Sequence, residues 1–303
     1  MTAATGTGLQ VNRLPRVHHR RVEVDGVEIA YREAGPESGP TLLLLHGFPS
    51  SSQQFRRLID ALGVSCHVVA PDYPGFGASG APAPASQGGP FTYTFENLAA
   101  VMESFCRRLR LDDFFLYVFD FGAPVGFRIA ARHPEWVRGM VVQNANAYDE
   151  GLSDSARDFI ALRRDDPGAV ETVHGLLTLS ATRDQYESGA EDVSLVAPDG
   201  WRLDQAYLDV EGRKDIQLDL AFDYHSNLAL YPEWQTWLRE HRPPTLVVWG
   251  GNDPFFTTQG ARAYERDVPT AEVHVFESGH FALEERLPEI TDLVAAFISE
   301  HIS

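Results

Sequence analysis

The chain has 303 residues, 44% hydrophobic and 22% charged, a profile that excludes collagen, coiled-coil and low-complexity architectures. Lys and Arg number 25 against 43 Asp and Glu, a net charge of −18. A field of that sign repels phosphate backbones and anionic lipid, so neither nucleic acid nor a membrane surface is an expected partner.

At this length hydrophobic burial alone can sustain one large core with a smaller inserted unit. The only cysteines, Cys66 and Cys106, lie in apolar segments, which predicts reduced core thiols and a cytoplasmic protein rather than a disulfide scaffold. The start, MTAATGTGLQVNRLPRVHHRR, carries no apolar signal core. No stretch approaches the roughly 18 apolar residues of a membrane span.

In chain order, RVEV and VEIAYREA alternate apolar and polar residues around Asp25-Gly26, the dipeptide of a tight hairpin. Short apolar runs follow at 41–47 (TLLLLHG), 66–72 (CHVVAPD), 114–120 (FFLYVFD), 139–145 (GMVVQNA), 245–250 (TLVVWG) and 271–277 (AEVHVFE), the pattern of strands buried in a parallel sheet. Phe95, Leu98, Ala99, Met102, Phe105, Cys106 and Leu109 form a helical stripe that can pack on that sheet. Strand and helix alternate, which predicts an α/β fold.

The alternation stops between about Tyr148 and Arg242, a polar, Asp-rich and Trp/Tyr-bearing segment that ends at His241-Arg242-Pro243-Pro244. We read residues 1–148 and 243–303 as two parts of one core and 149–242 as an inserted helical cap. Such a cap would lie over the carboxyl ends of the strands, where ligands bind in open α/β sheets. GAPAPASQGGP at 80–90 reads as an irregular loop. Gly75-Phe-Gly77-Ala-Ser-Gly80 matches a dinucleotide fingerprint, but the proline-rich residues after it cannot open the helix that would hold a pyrophosphate. That loop is therefore structural or site-lining.

Three polar residues end or closely follow apolar runs: Asp120 after FFLYVF, Asp253 after TLVVWGGN and His280 after EVHVFESG. A parallel sheet brings all three to one edge. A carboxylate at a buried strand tip is costly unless hydrogen-bonded or used. Asp120 precedes the helical run GAPVGFRIAARH, where a helix N-terminus favours negative charge; capping that helix is its plainer alternative. Asp253 in Asn-Asp-Pro could be a turn residue, with Asp149 then the nearest substitute acid.

With His46-Gly47-Phe48-Pro49, Asp72-x-x-Gly75-x-Gly77-x-Ser79, Val118-Phe119-Asp120-Phe121-Gly122, Asn252-Asp253 and Gly279-His280, the chain resembles an α/β-hydrolase-fold enzyme. The branch it resembles has an aspartate nucleophile and contains epoxide hydrolases and haloalkane dehalogenases. The resemblance implies a mostly parallel eight-stranded sheet with flanking helices and an inserted cap. It departs from the pattern at Val118, where Gly is usual and a larger side chain crowds the elbow. It further implies that Asp120 forms an alkyl ester, that His280 oriented by Asp253 activates water, and that the backbone N–H groups of Phe48 and Phe121 form the oxyanion hole.

Epoxide opening needs O–H donors, and the resemblance points to Tyr224 late in the cap, with Tyr186 as the substitute for an early cap tyrosine and Tyr148 a poorer choice. Halide needs N–H donors, but Phe121 and Phe48 stand at the two positions flanking the elbow and the His-Gly motif and carry none. Trp201, Trp234 and Trp237 are alternative halide donors or cap-core residues. Phe48, Phe121, Phe255, Phe256 and Phe281 beside the motifs predict a pocket for a small apolar or aromatic substrate. His18, His19 and His174 have no metal-ligand spacing, and no P-loop occurs, so neither metal nor cofactor is expected. The reading is an epoxide-hydrolase-like enzyme acting on a small molecule and water. A haloalkane dehalogenase is the first alternative and a non-catalytic ligand-binding protein of the same fold the second.

Overall fold

A computed structural model describes residues 14–302. Strands β1 (Val17–Val24) and β2 (Val27–Ala34) pair antiparallel in register, Val22 opposite Ile29. Asp25 and Gly26 between them both have positive φ, 50° and 81°, the mirror-image turn whose twist matches a hairpin. The chain continues through β3 (Thr41–Leu45), α1 (Arg56–Leu62), β4 (His67–Pro71), α2 (Phe95–Leu109), β5 (Phe114–Phe119), α3 (Gly122–Arg132) and β6 (Val137–Gln143).

Next come seven helices and no strand: α4 (Asp154–Ala161), α5 (Ala169–Leu176), α6 (Leu179–Glu187), α7 (Pro198–Leu208), α8 (Arg213–Asp223), α9 (His225–Leu228) and α10 (Tyr231–His241). The alternation then resumes with β7 (Thr245–Gly250), α11 (Thr258–Asp267), β8 (Glu272–Phe276), α12 (Ala282–Glu285) and α13 (Leu287–Glu300). No described helix is long and apolar enough to cross a membrane.

The eight strands form one sheet in the order β1-β2-β4-β3-β5-β6-β7-β8, parallel from β4 to β8. Each apolar run of the sequence is one of these strands. Residues of β4, β5 and β7 are buried throughout because helices cover both faces, so the runs have no polar alternation. Alternate side chains still serve opposite cores. Leu43, Leu45, Leu116 and Val118 pack toward α2 and α3, and Leu42, Leu44, Phe115 and Tyr117 toward α1 and α13.

Helix α2 begins where Thr94 Oγ1 accepts the Asn97 N–H at 3.2 Å. It buries the predicted stripe from Phe95 to Cys106, while Leu109 is only partly covered. Each of Phe95, Leu98, Met102 and Phe105, fully buried in that stripe, contributes on the order of 1.5–3 kcal/mol of hydrophobic stabilisation. The glycine-rich loop after β4 opens no helix. Asp72 clamps it by accepting the N–H groups of Ser52 and Ala78, both at 2.8 Å, and Ser79 ties it to the Asp72 carbonyl and the Ala30 N–H. It is a structural brace, not a phosphate cradle.

Candidate active site

Asp120 follows β5 directly and adopts φ 49°, a left-handed conformation that a non-glycine residue holds only when its surroundings enforce it. Helix α3 starts two residues later and crosses the sheet closely. The crowding expected from Val118 is relieved on the helix side: a Cβ at Gly126 would lie 2.6 Å from Val118 Cγ1. Gly47 is similarly required, since a Cβ there would lie 2.5 Å from Asp120 Oδ1.

The two Asp120 carboxylate oxygens have different surroundings. Oδ1 accepts the Phe48 N–H at 2.7 Å, with the Phe121 N–H as a second backbone donor to the carboxylate. Oδ2 lies 3.9 Å from His280 Nε2. On its other side His280 Nδ1 is 2.6 Å from Asp253 Oδ2. Asp253 Oδ1 accepts the N–H groups of Phe255 at 2.7 Å and Phe256 at 3.2 Å. These bonds satisfy an acid that only a buried, hydrogen-bonded position can hold without large cost.

Burial pushes the Asp120 carboxyl up to about 6, against the lowering pull of His280 and the two N–H groups. Burial by itself would lower the His280 imidazole, but the charge and hydrogen bond of Asp253, with the charge of Asp120, hold it above its ordinary value. The array is a carboxylate and an acid-supported imidazole sharing one water-poor site. It can carry out nucleophilic attack followed by general-base activation of water.

The structure brings Asp120, His280, Asp253, Phe48 and Phe121 together, with Tyr224 across the same cavity. Asp149, the substitute acid, is exposed and takes part in none of these hydrogen bonds. Sequence reasoning missed Asn144. Its Nδ2 donates to Asp253 Oδ2 at 2.8 Å, its Oδ1 accepts the Gly250 N–H at 2.8 Å, and its carbonyl accepts the Asp120 N–H at 3.3 Å. Its signal was a polar residue ending the apolar run GMVVQN. His46 was read only as part of a motif. Buried and stacked on Tyr73, it accepts the Tyr73 N–H and contacts the Gly47 carbonyl, and burial lowers its pKa to about 4. It is a neutral prop for the loop that carries Phe48.

A cavity of about 480 Å³ opens above Asp120 and His280. Phe48, Phe121, Phe255 and Phe256 line it, with aliphatic side chains of α4 and α5, while Phe281 lies behind, stacked on Tyr186 at 3.7 Å. Tyr224 reaches the cavity because its neighbour Asp223 accepts the N–H of Phe95, the first residue of α2, at 2.8 Å. There the helix N-terminus favours a carboxylate. The Tyr224 ring then packs edge-on against Phe95 and tilted against Phe121, 5.5 and 5.8 Å between centroids.

Tyr186 does not line the cavity. Its hydroxyl is turned away to Asp204 Oδ2, 2.5 Å off. Tyr148 is fully buried outside the cavity wall, and none of Trp201, Trp234 and Trp237 lines it. Trp234, for example, is stacked on Phe127. Among the described residues no group of three or more His, Cys, Asp or Glu is placed to hold a metal ion.

A mostly parallel sheet carrying an acid, a histidine and a strand-to-helix elbow at one edge defines a hydrolase architecture. The family described as the alpha/beta hydrolase fold matches residues 40–287, and the chain belongs to it. An uncharacterised hydrolase of Saccharomyces cerevisiae is 39% identical over 295 residues, 96% of this chain and 99% of that protein. A haloalkane dehalogenase of Psychrobacter cryohalolentis is 26% identical over 287 residues, 91% of this chain and 88% of that one. Epoxide hydrolase 1 of Siraitia grosvenorii is 23% identical over 323 residues, covering 95% and 100%.

Proposed function

We propose that the protein hydrolyses epoxides to vicinal diols through an ester on Asp120, with residues 149–242 as the cap that closes the site. The observation that carries this reading is the division of labour between the two Asp120 oxygens. Oδ1 already accepts the Phe48 N–H, the Phe121 N–H also donates to the carboxylate, and Oδ2 lies beside His280.

In the first half-reaction Oδ2 forms a bond to a ring carbon as that carbon's bond to the epoxide oxygen breaks. The oxygen takes the Tyr224 proton; burial holds that phenol well above its ordinary pKa, so it is protonated at neutral pH. In the second, His280 removes a proton from water as the water oxygen attacks Asp120 Cγ. The negative charge develops on Oδ1, against the Phe48 N–H, a donor that need not move. Collapse expels the diol alkoxide, which carries away the former Oδ2. The two protons of the consumed water return to that alkoxide and to Tyr224, so the reaction balances as epoxide plus water.

Carboxylates displace leaving groups from saturated carbon more readily than they attack carbonyls, which disfavours ordinary esterase chemistry. Carbon–halogen cleavage is the second reading, favoured by the dehalogenase relative. Against it, no indole N–H lines the cavity and Tyr224 supplies O–H instead. The cytoplasmic setting rests on the two thiols, both free and buried.

The test is the intact mass of His280→Gln after exposure to aryl and alkyl epoxides and to 1-haloalkanes. Without its base the enzyme should accumulate the ester, gaining the mass of the whole epoxide. A gain equal to the haloalkane less HX makes the protein a dehalogenase. No adduct from either, with the unmutated protein also idle, removes the covalent reading and favours a binding role.

A further inference from the structure

The short helix α12, which follows His280 almost at once, ends in two buried acids, Glu284 and Glu285. Both accept backbone N–H groups from the helical segment between β6 and β7. Glu284 accepts that of Ala197 at 3.3 Å and has a counter-ion, Arg56, at 3.0 Å. Among the described residues no cation pairs with Glu285. Its oxygens are divided instead between two N–H groups: Oε1 accepts that of Asp192, between α6 and α7, at 2.9 Å, and Oε2 that of Gly279, the residue before the base, at 3.3 Å. An acid only 9% exposed is costly unless hydrogen-bonded, and these two bonds are what holds it there.

The same stretch of the helical segment touches the base loop twice more. A Cβ at Gly279 would lie 2.3 Å from the Ser188 carbonyl oxygen, so glycine is what permits the approach. On the far side of His280, Phe281 is stacked on Tyr186. Both chain neighbours of the base are thus held from the helical segment. Asp120 is placed differently, by the N–H groups of Phe48 and Phe121 and the carbonyl of Asn144.

We propose that Glu285 is a positioning residue for His280: by bridging the Gly279 and Asp192 N–H groups it makes the setting of the base depend on the seating of the helical segment. This rests on the Asp120 ester of the reading above. His280 acts only in the second half-reaction, and a displacement of about 1 Å at a reacting group can cost about 10²-fold. Loss of the bridge should therefore fall on ester hydrolysis and spare ester formation.

The experiment is single-turnover quenched flow with saturating styrene oxide on the unmutated protein, Glu285→Gln and Glu284→Gln. Both steps are then first order, so their rate constants do not depend on the fraction folded. The amide at 285 keeps the size of the acid, but its one oxygen can serve only one N–H and its NH2 opposes the other. Ester hydrolysis in Glu285→Gln should slow about tenfold, with ester formation unchanged within about twofold. Glu284→Gln, which leaves the Gly279 bond intact, should change neither step by more than about twofold. Equal slowing of both steps in Glu285→Gln, no slowing of hydrolysis, or the same selective slowing in Glu284→Gln overturns the inference.

If no ester forms in any of the three proteins, the failure lies with the Asp120 reading, and a proton NMR spectrum decides on Glu285. The His280 Nδ1 proton, in a 2.6 Å bond to Asp253, belongs to the short, charge-assisted class and should resonate far downfield. In Glu285→Gln the loosened loop should lengthen that bond and move the resonance upfield, while Glu284→Gln leaves it in place. A resonance unmoved in Glu285→Gln removes the positioning role.

Discussion

Asp120, Asp253 and His280 stand within four residues of strand ends, whereas Tyr186 on α6 and Tyr224 at the junction of α8 and α9 belong to a helical segment whose order along the chain says little about where they meet. In the sheet, parallel pairing sends every carboxyl end to one edge, so a polar residue at the end of an apolar run arrives at the site by topology. In the helical segment each residue reaches its place through a contact of its own. Tyr224 is held over the cavity by Asp223 on the N-terminus of α2. Tyr186, the substitute for an early cap tyrosine, is drawn off by Asp204. The difference predicts that substitutions at the edge act on chemistry steeply, while those in the helices act by degrees on proton donation, recognition and stability.

The edge can be challenged at Asp253. Asp253→Asn leaves the backbone bonds from Phe255 and Phe256 possible but offers His280 Nδ1 a donor where it needs an acceptor, favouring the wrong tautomer. The expected loss in turnover is about 10⁴-fold. It should fall on ester hydrolysis, so stopped-flow or quenched-flow measurement should still show an ester forming. Because the Asp253 charge raises the imidazole, its removal should also displace the acid limb of ester hydrolysis to lower pH. Loss of both half-reactions equally would mean that Asp253 holds the elbow together rather than orienting a base.

The helical side can be challenged at Tyr224. Tyr224→Phe keeps the ring between Phe95 and Phe121 and removes only the O–H. Ester formation should slow about 10²-fold, with hydrolysis of a preformed ester little changed. An equal slowing of the two steps would place Tyr224 in packing alone.

This contrast explains what could be read in the sequence. The six apolar runs, the Asp-Gly hairpin and the three strand-end residues were legible because each obeys a local rule of burial or turn geometry. The accommodation of Val118 by Gly126 was not, since it pairs a strand residue with a helix residue across a single close approach. Asn144 was visible only as a polar strand end, because its partners Asp253 and Gly250 are more than a hundred residues away. Tyr186 could not be separated from Tyr224 by composition. What separates them is a buried acid at 204 in one case and a helix N-terminus at 95 in the other.

That buried acid provides the smallest and most selective test. Asp204 is fully buried on α7, accepting from Tyr186 on α6 and, at 3.3 Å, from Ser50 Oγ in the loop after β3. It thereby ties the helical segment to the core. Burial pushes its carboxyl up to about 7, against the lowering effect of the Tyr186 and Ser50 hydrogen bonds. A folded-state pKa above the unfolded one means that folding favours the protonated acid. The stability it contributes is full below about pH 4 and is lost as pH rises through about 7.

Asp204→Asn cannot ionise, so its melting temperature relative to the unmutated protein should climb by about 3 °C between pH 5 and 8, read by scanning calorimetry. Asp120, whose carboxyl is also raised, contributes the same slope to both proteins and cancels in the difference. A difference that does not vary with pH would show that Asp204 is held in one protonation state throughout, and that the tie between helices and core is set by packing around the Tyr186–Phe281 stack instead.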